Sequence, residues 1–188
     1  MELWESDGTN AGTQILHTTN TVAASGNPRA FFEFNGLIYF SSIGTNIGDE
    51  LYSTDGTSSG IISYPEIAIS SDSSPRNFVE YNNNLVFTSL VQDNNLNGFG
   101  RELLGFNGTP WTGNAGVPIM IKDVHTGGSS NPDNYTELNG ALYFAATATG
   151  TAREIWVTDG TNTGTNILLD INNGLSGSDP NDFTLFNL

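Results

Sequence analysis

The sequence of 188 residues has no cysteine and only five basic residues. Without cysteine, no disulfide can hold the fold and no thiolate can act as a nucleophile or a zinc ligand. The 20 acidic residues leave a net charge of -15, which repels the phosphates of nucleic acids and anionic lipid head groups. We therefore expect neither nucleic acid partners nor membrane insertion.

The sequence also lacks long apolar runs and the periodicity of amphipathic helices. No run reaches the roughly 18 apolar residues of a membrane-spanning helix, and helical repeat proteins are excluded by the missing 3.6-residue pattern. The segment from Met1 to Trp4 does not resemble a signal peptide, so we expect any export signal to lie outside this chain. The 22 glycines, with abundant Asn, Ser and Thr, are typical of β-proteins with many turns.

One segment occurs four times along the chain. Its copies are Glu2 to Thr9, Glu50 to Thr57, Glu102 to Thr109 and Glu154 to Thr161, and they begin 48, 52 and 52 residues apart. Internal repeats of about this length are typical of propellers, solenoids and arrays. The repeat therefore decides the fold prediction before any single residue does.

A second segment precedes each of the later copies: Phe31 to Phe40, Phe78 to Phe87, and Tyr135 to Phe144. In each, two apolar and aromatic runs flank a short break rich in Asn and Gly, which is a strong signal for a β-hairpin. Asn35–Gly36 and Asn139–Gly140 suit a type I′ turn, because both residue types tolerate positive φ.

Together, the two segments predict a unit of four antiparallel strands. The first hairpin supplies strands one and two, the Glu-containing segment supplies strand three, and an Asp-Gly-Thr turn leads into strand four. A longer polar connection with one proline then leads to the next unit. We predict an all-β fold, a β-propeller built from about four four-stranded repeats of 48–52 residues, whose ring is incomplete in this chain.

We expect the whole chain, 1–188, to be a single repeat domain or segment. Its predicted parts are a part-blade at 1–20, blades at about 30–66, 77–124 and 134–171, and a lone first strand at 183–188. If the two ends met in one blade, that blade would lack its second strand and leave backbone groups unpaired. The chain is then either a segment of a longer array or a subunit whose neighbour completes the blade. In the second case Phe183, Leu185 and Phe186 are the assembly residues.

The fourth copy of the repeat carries a specific sequence motif. Asp159, Gly160 and Thr161 are followed by a second Gly-Thr pair and by a strand ending at Asp170 and Ile171. In this the chain resembles the bacterial ELWxxDGT-repeat family. The resemblance implies a propeller-like fold and an extracellular or cell-surface location, and it implies no particular activity.

The aspartates and glycines of the motif are predicted to build turns. An Asp side chain can accept hydrogen bonds from turn amides, and Gly supplies the required backbone angles. Calcium coordination is the alternative role for the carboxylates. The predicted turn residues are Asp7, Gly8, Asp55, Gly56, Asp159 and Gly160.

The best candidate for a metal site is the stretch from Asp93 to Gly98. Oxygen ligands at alternate positions before a glycine resemble the first half of a calcium loop, although the usual closing carboxylate is missing. The alternative is an ordinary Asn-rich turn. The candidate calcium ligands are Asp93, Asn95, Asn97 and Glu102.

Two further predictions concern ligands and catalysis. Trp111 lies in the irregular loop of the third copy, where an exposed aromatic ring could bind a sugar or a protein partner. For the repeated glutamates we expect ion pairs or hydrogen bonds between blades, with a ring of carboxylates facing the central channel as the alternative. The four arginines are scattered along the sequence, which argues against the clustered arginines of sialidase-type propellers, and we predict no catalytic residues.

The sequence thus favours a non-catalytic extracellular or surface repeat module for binding, adhesion or scaffold assembly, with calcium as the candidate stabilising ion. Its expected partners are a protein or carbohydrate ligand, or copies of itself. One alternative is a structural subunit that polymerises by completing a neighbour's blade. A second alternative is a carbohydrate-active enzyme module.

Overall fold

The computed structural model describes residues 1–22, 25–64, 67, 72–92, 98–108 and 118–184. The strands in this part of the chain are β1 (Leu3–Glu5), β2 (Gln14–His17), β3 (Arg29–Phe34), β4 (Leu37–Gly44), β5 (Gly48–Thr54), β6 (Ile62–Tyr64), β7 (Arg76–Tyr81), β8 (Asn84–Gln92), β9 (Gly98–Phe106), β10 (Ile119–Lys122), β11 (Asp133–Leu138), β12 (Ala141–Thr147), β13 (Arg153–Thr158) and β14 (Asn166–Leu169). Within these ranges, no helix is long and apolar enough to cross a membrane.

The strands form four antiparallel sheets in the order of the sequence. Sheet I contains β1 and β2 alone, while sheet II (β3–β6), sheet III (β7–β10) and sheet IV (β11–β14) each contain four strands. Within each sheet, every strand pairs with the next one along the chain, so every sheet is a simple meander. The predicted all-β fold with four-stranded antiparallel units is confirmed.

The first hairpin of each four-stranded sheet turns on residues with positive φ. Asn35 and Gly36 have φ values of 51° and 75°, and the same left-handed geometry recurs at Asn82–Asn83 and Asn139–Gly140. A type I′ turn needs positive φ at both central residues, and its twist matches that of the flanking strands. Asparagine and glycine therefore fix the register of these hairpins.

A bulge opens the first strand of each four-stranded sheet. Ala30, Asn77 and Asn134 occupy its second position, with φ values of 55°, 56° and 57°. The register with the second strand shifts at each of these places. The strand therefore begins directly after the proline of the connection and bends before its aromatic residues enter the core.

The hydrophobic core lies between the sheets. We call the side of a sheet that packs on the following sheet its forward face, and the opposite side its rear face. The forward face of sheet II, with Phe34, Tyr39 and Leu51, packs on the rear face of sheet III, with Phe87 and Leu104. All five side chains are at most 1% exposed.

The same interface recurs on both sides of this pair. The forward face of sheet III packs on the rear face of sheet IV, and Leu3 of sheet I packs on Phe40 and Tyr52 of sheet II. The first strand of sheet III, β7, contacts both β3 and β11. First strands side by side and faces stacked in sequence give a propeller-like arrangement.

Candidate functional site

The Asp-Gly-Thr turns are held by hydrogen bonds within each turn. Asp7 Oδ1 accepts from the Thr9 backbone nitrogen at 2.9 Å and from its hydroxyl at 2.7 Å. Asp55 and Asp159 accept from the equivalent threonines in the same way. The threonine hydroxyl, followed by the amide, lowers the pKa of each aspartate. The glycine after each aspartate has φ between 87° and 90°.

In the four-stranded sheets, the repeated glutamate holds the connection that follows the sheet. Glu102 Oε2 accepts from the Val124 backbone nitrogen at 2.9 Å and from the Ser130 hydroxyl at 2.6 Å, and its Oε1 accepts from the Ser130 nitrogen at 3.0 Å. Glu154 accepts the equivalent bonds from Ile171 and Ser178. Within the described ranges neither glutamate forms an ion pair with an arginine, and both oxygens of each accept hydrogen bonds from the connection.

The sequence carries a signal for this role in the connections between the sheets. The serine that donates to each glutamate stands two residues before the proline of the connection: Ser73 before Pro75, Ser130 before Pro132, and Ser178 before Pro180. Ser73 donates its hydroxyl to Glu50 in the same manner. The Ser-x-Pro pattern therefore accompanies the Glu of strand three.

Burial changes the acidity of two of these glutamates. It raises the pKa of Glu50 to about 8 and that of Glu102 to about 7. At Glu154 the hydrogen bond from the Ser178 hydroxyl dominates and lowers the pKa. The repeated glutamate therefore favours its neutral form more in sheets II and III, and its charged form more in sheet IV.

Most of the predicted ligand residues lie outside the described residues. This applies to Asp93, Asn95 and Asn97 of the calcium loop, to Trp111, and to Leu185 and Phe186 of the assembly segment. In the parts that the structure describes, no three His, Cys, Asp or Glu side chains gather as a metal site. Both oxygens of Glu102 already accept hydrogen bonds from the 124–130 connection.

The four arginines, scattered in sequence, come to one edge of the sheets. Arg29 pairs with Asp49 and Arg153 pairs with Asp133. Arg153 also donates to the carbonyl of Asn131 at 3.0 Å, and Arg76 donates to the Asn131 side chain at 3.1 Å. Their separation along the sequence is therefore not kept in space, because the start of a first strand and the start of a third strand meet at the same edge.

An apolar groove runs along the forward face of sheet IV. It has a volume of about 330 Å³ and is lined by Leu138, Tyr143 and Ile155, with Phe183 and Thr184 beside them. The Thr136 hydroxyl donates to the carbonyl of Phe183 at 3.5 Å. The predicted assembly residue Phe183 therefore lies against sheet IV, where a following first strand would begin.

A second cleft lies between sheets III and IV, near the irregular third copy of the repeat. It has a volume of about 550 Å³ and is lined by Tyr81, Ile119 and Thr161 among others. The Tyr81 hydroxyl donates to the carbonyl of Gly140 at 2.7 Å and so ties the two sheets together. The side chain of Ile119 is 73% exposed there.

The fold and these sites define an all-β, propeller-like repeat protein. No protein-family model and no curated protein matches the chain. Among solved structures it is similar to a thermostable family-43 glycoside hydrolase, with 15% identity, a TM-score of 0.40, and coverage of 82% of this chain and 55% of the other. It is also similar to an α-L-arabinofuranosidase from Clostridium thermocellum, with 14% identity, a TM-score of 0.33, and coverage of 82% and 52%. The chain spans about half the length of these structures.

Proposed function

We propose that this chain is a non-catalytic module of an extracellular or cell-surface scaffold of the ELWxxDGT-repeat type. In this proposal it assembles head to tail, and the forward face of sheet IV binds sheet I of a second copy. One observation carries the proposal: sheet IV exposes the face that sheets II and III bury against their successors.

The exposure of sheet IV stands out when equivalent positions are compared. Leu138 is 46% exposed, whereas Phe34 and Tyr81, at the same position of sheets II and III, are each 1% exposed. Leu169 is 56% exposed, whereas Tyr64, which has the same pairing with strand three, is 3% exposed. The side chains needed for packing are present on sheet IV, but nothing in the described part of the chain covers them fully.

The complementary surface is the rear face of sheet I. Trp4 is 55% exposed, whereas Tyr52 and Trp156, at the same position of sheets II and IV, are 4% and 7% exposed. Ile15 pairs with Trp4 across the two strands, lies on the same face and is 50% exposed. Exposed apolar patches of this kind mark interaction sites, and tryptophan is a frequent anchor of interfaces.

The two faces match because the chain already contains three interfaces of this type. A forward face meets a rear face between sheets I and II, II and III, and III and IV. When the rear face of sheet I in a second copy, with Trp4, packs on the forward face of sheet IV, with Leu138, the same type of contact is formed again. Because the contact joins two different surfaces, it produces a ring or a filament rather than a two-fold dimer.

The uses of the carboxylates support a scaffold role over catalysis. Asp7, Asp55 and Asp159 accept hydrogen bonds inside their own turns. Glu102 and Glu154 accept them from the connections. These five carboxylates therefore serve the fold. Calcium binding at Asp93, Asn95 and Asn97 stays a prediction.

The assembly can be tested with two single substitutions and their mixture. By light scattering, we expect the mass of the chain to rise with concentration. Trp4→Asp and Leu138→Asp should each weaken association by about 30-fold or more, because a buried anchor contributes about 2 kcal/mol. Since each variant keeps one intact face, the mixture should form a 1:1 dimer that does not grow further.

A matched control is Val22→Asp, which adds the same charge at a side chain that is 76% exposed and lies outside both faces. This variant should associate like the unchanged chain. A mass that stays monomeric at all concentrations would contradict the proposal. So would a mixture of the two variants that stays monomeric while Val22→Asp associates.

A further inference from the structure

A pair of charged residues occupies the same place in each four-stranded sheet. The first residue of strand one pairs with a residue of strand two. The residue two positions further along strand two pairs with a residue of strand three, namely the one just before the repeated glutamate. The register gives Arg29 and Asp49 in sheet II, Arg76 and Arg101 in sheet III, and Asp133 and Arg153 in sheet IV.

Two of these pairs are ion pairs, with the charges in opposite order. In sheet II the arginine stands on strand one, and Arg29 contacts Asp49. In sheet IV the arginine stands on strand three, and Arg153 contacts Asp133. The guanidinium can therefore come from strand one or from strand three, and the carboxylate then comes from the other strand.

Sheet III has an arginine at both positions. Among the described residues, no carboxylate lies within ion-pair distance of Arg76 or Arg101. Arg101 Nη1 donates to the carbonyl of Ser74 at 3.1 Å, and Arg76 Nη2 donates to Asn131 Oδ1 at 3.1 Å. These neutral acceptors satisfy one donor of each guanidinium, and no carboxylate in the described ranges compensates either positive charge by direct contact.

The two guanidinium groups are close enough to affect each other. Burial, and after it the charge of Arg76, lowers the pKa of Arg101. Asp49 and Asp72 raise this pKa, and Arg29 lowers it. Arg76 is exposed and Arg101 is half-buried, so the pair is open to solvent on one side.

We propose that Arg76 and Arg101 form a binding site for a carboxylate group of a small organic acid or an acidic sugar. The carboxylate takes the place that Asp49 and Asp133 fill in the neighbouring sheets. Two guanidinium groups can hold a planar carboxylate with charge-assisted hydrogen bonds to both oxygens. In a chain with 20 acidic and five basic residues, this is where the rare positive charges meet.

The test measures thermal unfolding with acetate, glucuronate and neutral glucose, at ionic strength matched with sodium chloride. We expect the carboxylates to raise Tm by about 3–6 °C at ten times their Kd, and glucose to have no effect. Equal affinities for acetate and glucuronate would assign the site to small acids. Tighter binding of glucuronate would assign it to acidic sugars.

Arg101→Asp is the informative variant, because it builds the Arg–Asp arrangement of sheet II. Without ligand its Tm should rise, and its response to carboxylates should disappear. Arg76→Asp builds the Asp–Arg order of sheet IV. Its Tm should also rise without ligand and its response to carboxylates should also disappear, so it replaces Arg101→Asp as the test if that variant folds poorly. Lys122→Gln, which removes a positive charge elsewhere, should keep the response.

Three results would overturn the proposal. They are a carboxylate response that survives both arginine substitutions, an equal response to glucose, or an equal response to sodium chloride alone. The site involves neither Trp4 nor Leu138, so the arginine variants should leave the assembly mass unchanged. Failure of this proposal and failure of head-to-tail assembly are therefore measured separately.

Discussion

Glu50 and Glu102 are buried carboxyl groups whose partners are hydroxyl and amide groups. Their side chains are 0% exposed, and serine hydroxyls donate to both. Moving a charged carboxylate out of water is costly, so the neutral form is favoured unless hydrogen bonds compensate fully. The raised pKa values, about 8 and about 7, show that compensation is partial.

This predicts a stability that falls as pH rises. Above pH 4.5 the folded chain keeps protons that the unfolded chain has released, on Glu102 up to a pKa of about 7 and on Glu50 up to a pKa of about 8. The stabilising contribution is therefore complete below pH 4.5 and is lost as pH rises through the folded pKa values. Urea denaturation should show a higher midpoint at pH 5 than at pH 8.5.

Glu102→Gln should flatten this dependence between pH 4.5 and about 7, because the amide does not titrate. Glu80→Gln, at an exposed position of β7, serves as the control and should keep the slope of the unchanged chain. Equal slopes for the Glu102 and Glu80 variants would refute the assignment to Glu102.

Among the strands, the bulge at the start of each first strand shows a local conflict. Asn77 and Asn134 suit their positive φ, since Asn enters the left-handed region more easily than other residues with a Cβ. Ala30 has the same φ of 55° without that advantage. Sheet II therefore carries a backbone strain that its neighbours avoid.

Ala30→Asn should stabilise the chain by about 0.5–1 kcal/mol, because it removes this conflict at an exposed position. The reverse change, Asn77→Ala, should destabilise by a similar amount. Both can be measured from the midpoint of chemical denaturation. If Ala30→Asn lowered the midpoint, the bulges of the three sheets would not be equivalent.

Strands and hairpins could be predicted because their signals are local. Asn35–Gly36 sits between two apolar runs, and adjacent residues alone define that turn. The contact between Glu102 and Ser130 spans 28 positions, and no periodicity links a strand to a residue in an irregular connection. The placement of Arg76 and Arg101 at equivalent positions to the ion pairs of the neighbouring sheets likewise depends on the register of three strands, which the sequence does not reveal residue by residue.

At the scale of the whole molecule, charge and apolar faces act against each other. Two copies that each carry a net charge of -15 repel one another, whereas the Trp4 and Leu138 faces attract through burial of apolar surface. The balance between these forces depends on salt, since exposed charges are screened over about 10 Å at 0.1 M ionic strength.

Association should therefore tighten as salt increases. Raising sodium chloride from 20 mM to 500 mM should lower the dissociation constant by about an order of magnitude, measured by sedimentation or light scattering. An interface built on ion pairs would weaken instead. A decrease in mass with salt would thus contradict an apolar contact between sheets I and IV.

The glutamate that holds each connection also has a consequence for how such a chain can change over generations. Glu102 and its partners Val124 and Ser130 all precede Pro132, where the next sheet starts. A duplication or deletion with its boundary at that proline keeps each glutamate together with its own hydrogen-bond donors. Recombination can therefore lengthen or shorten the array by whole units without leaving an inherited carboxylate orphaned.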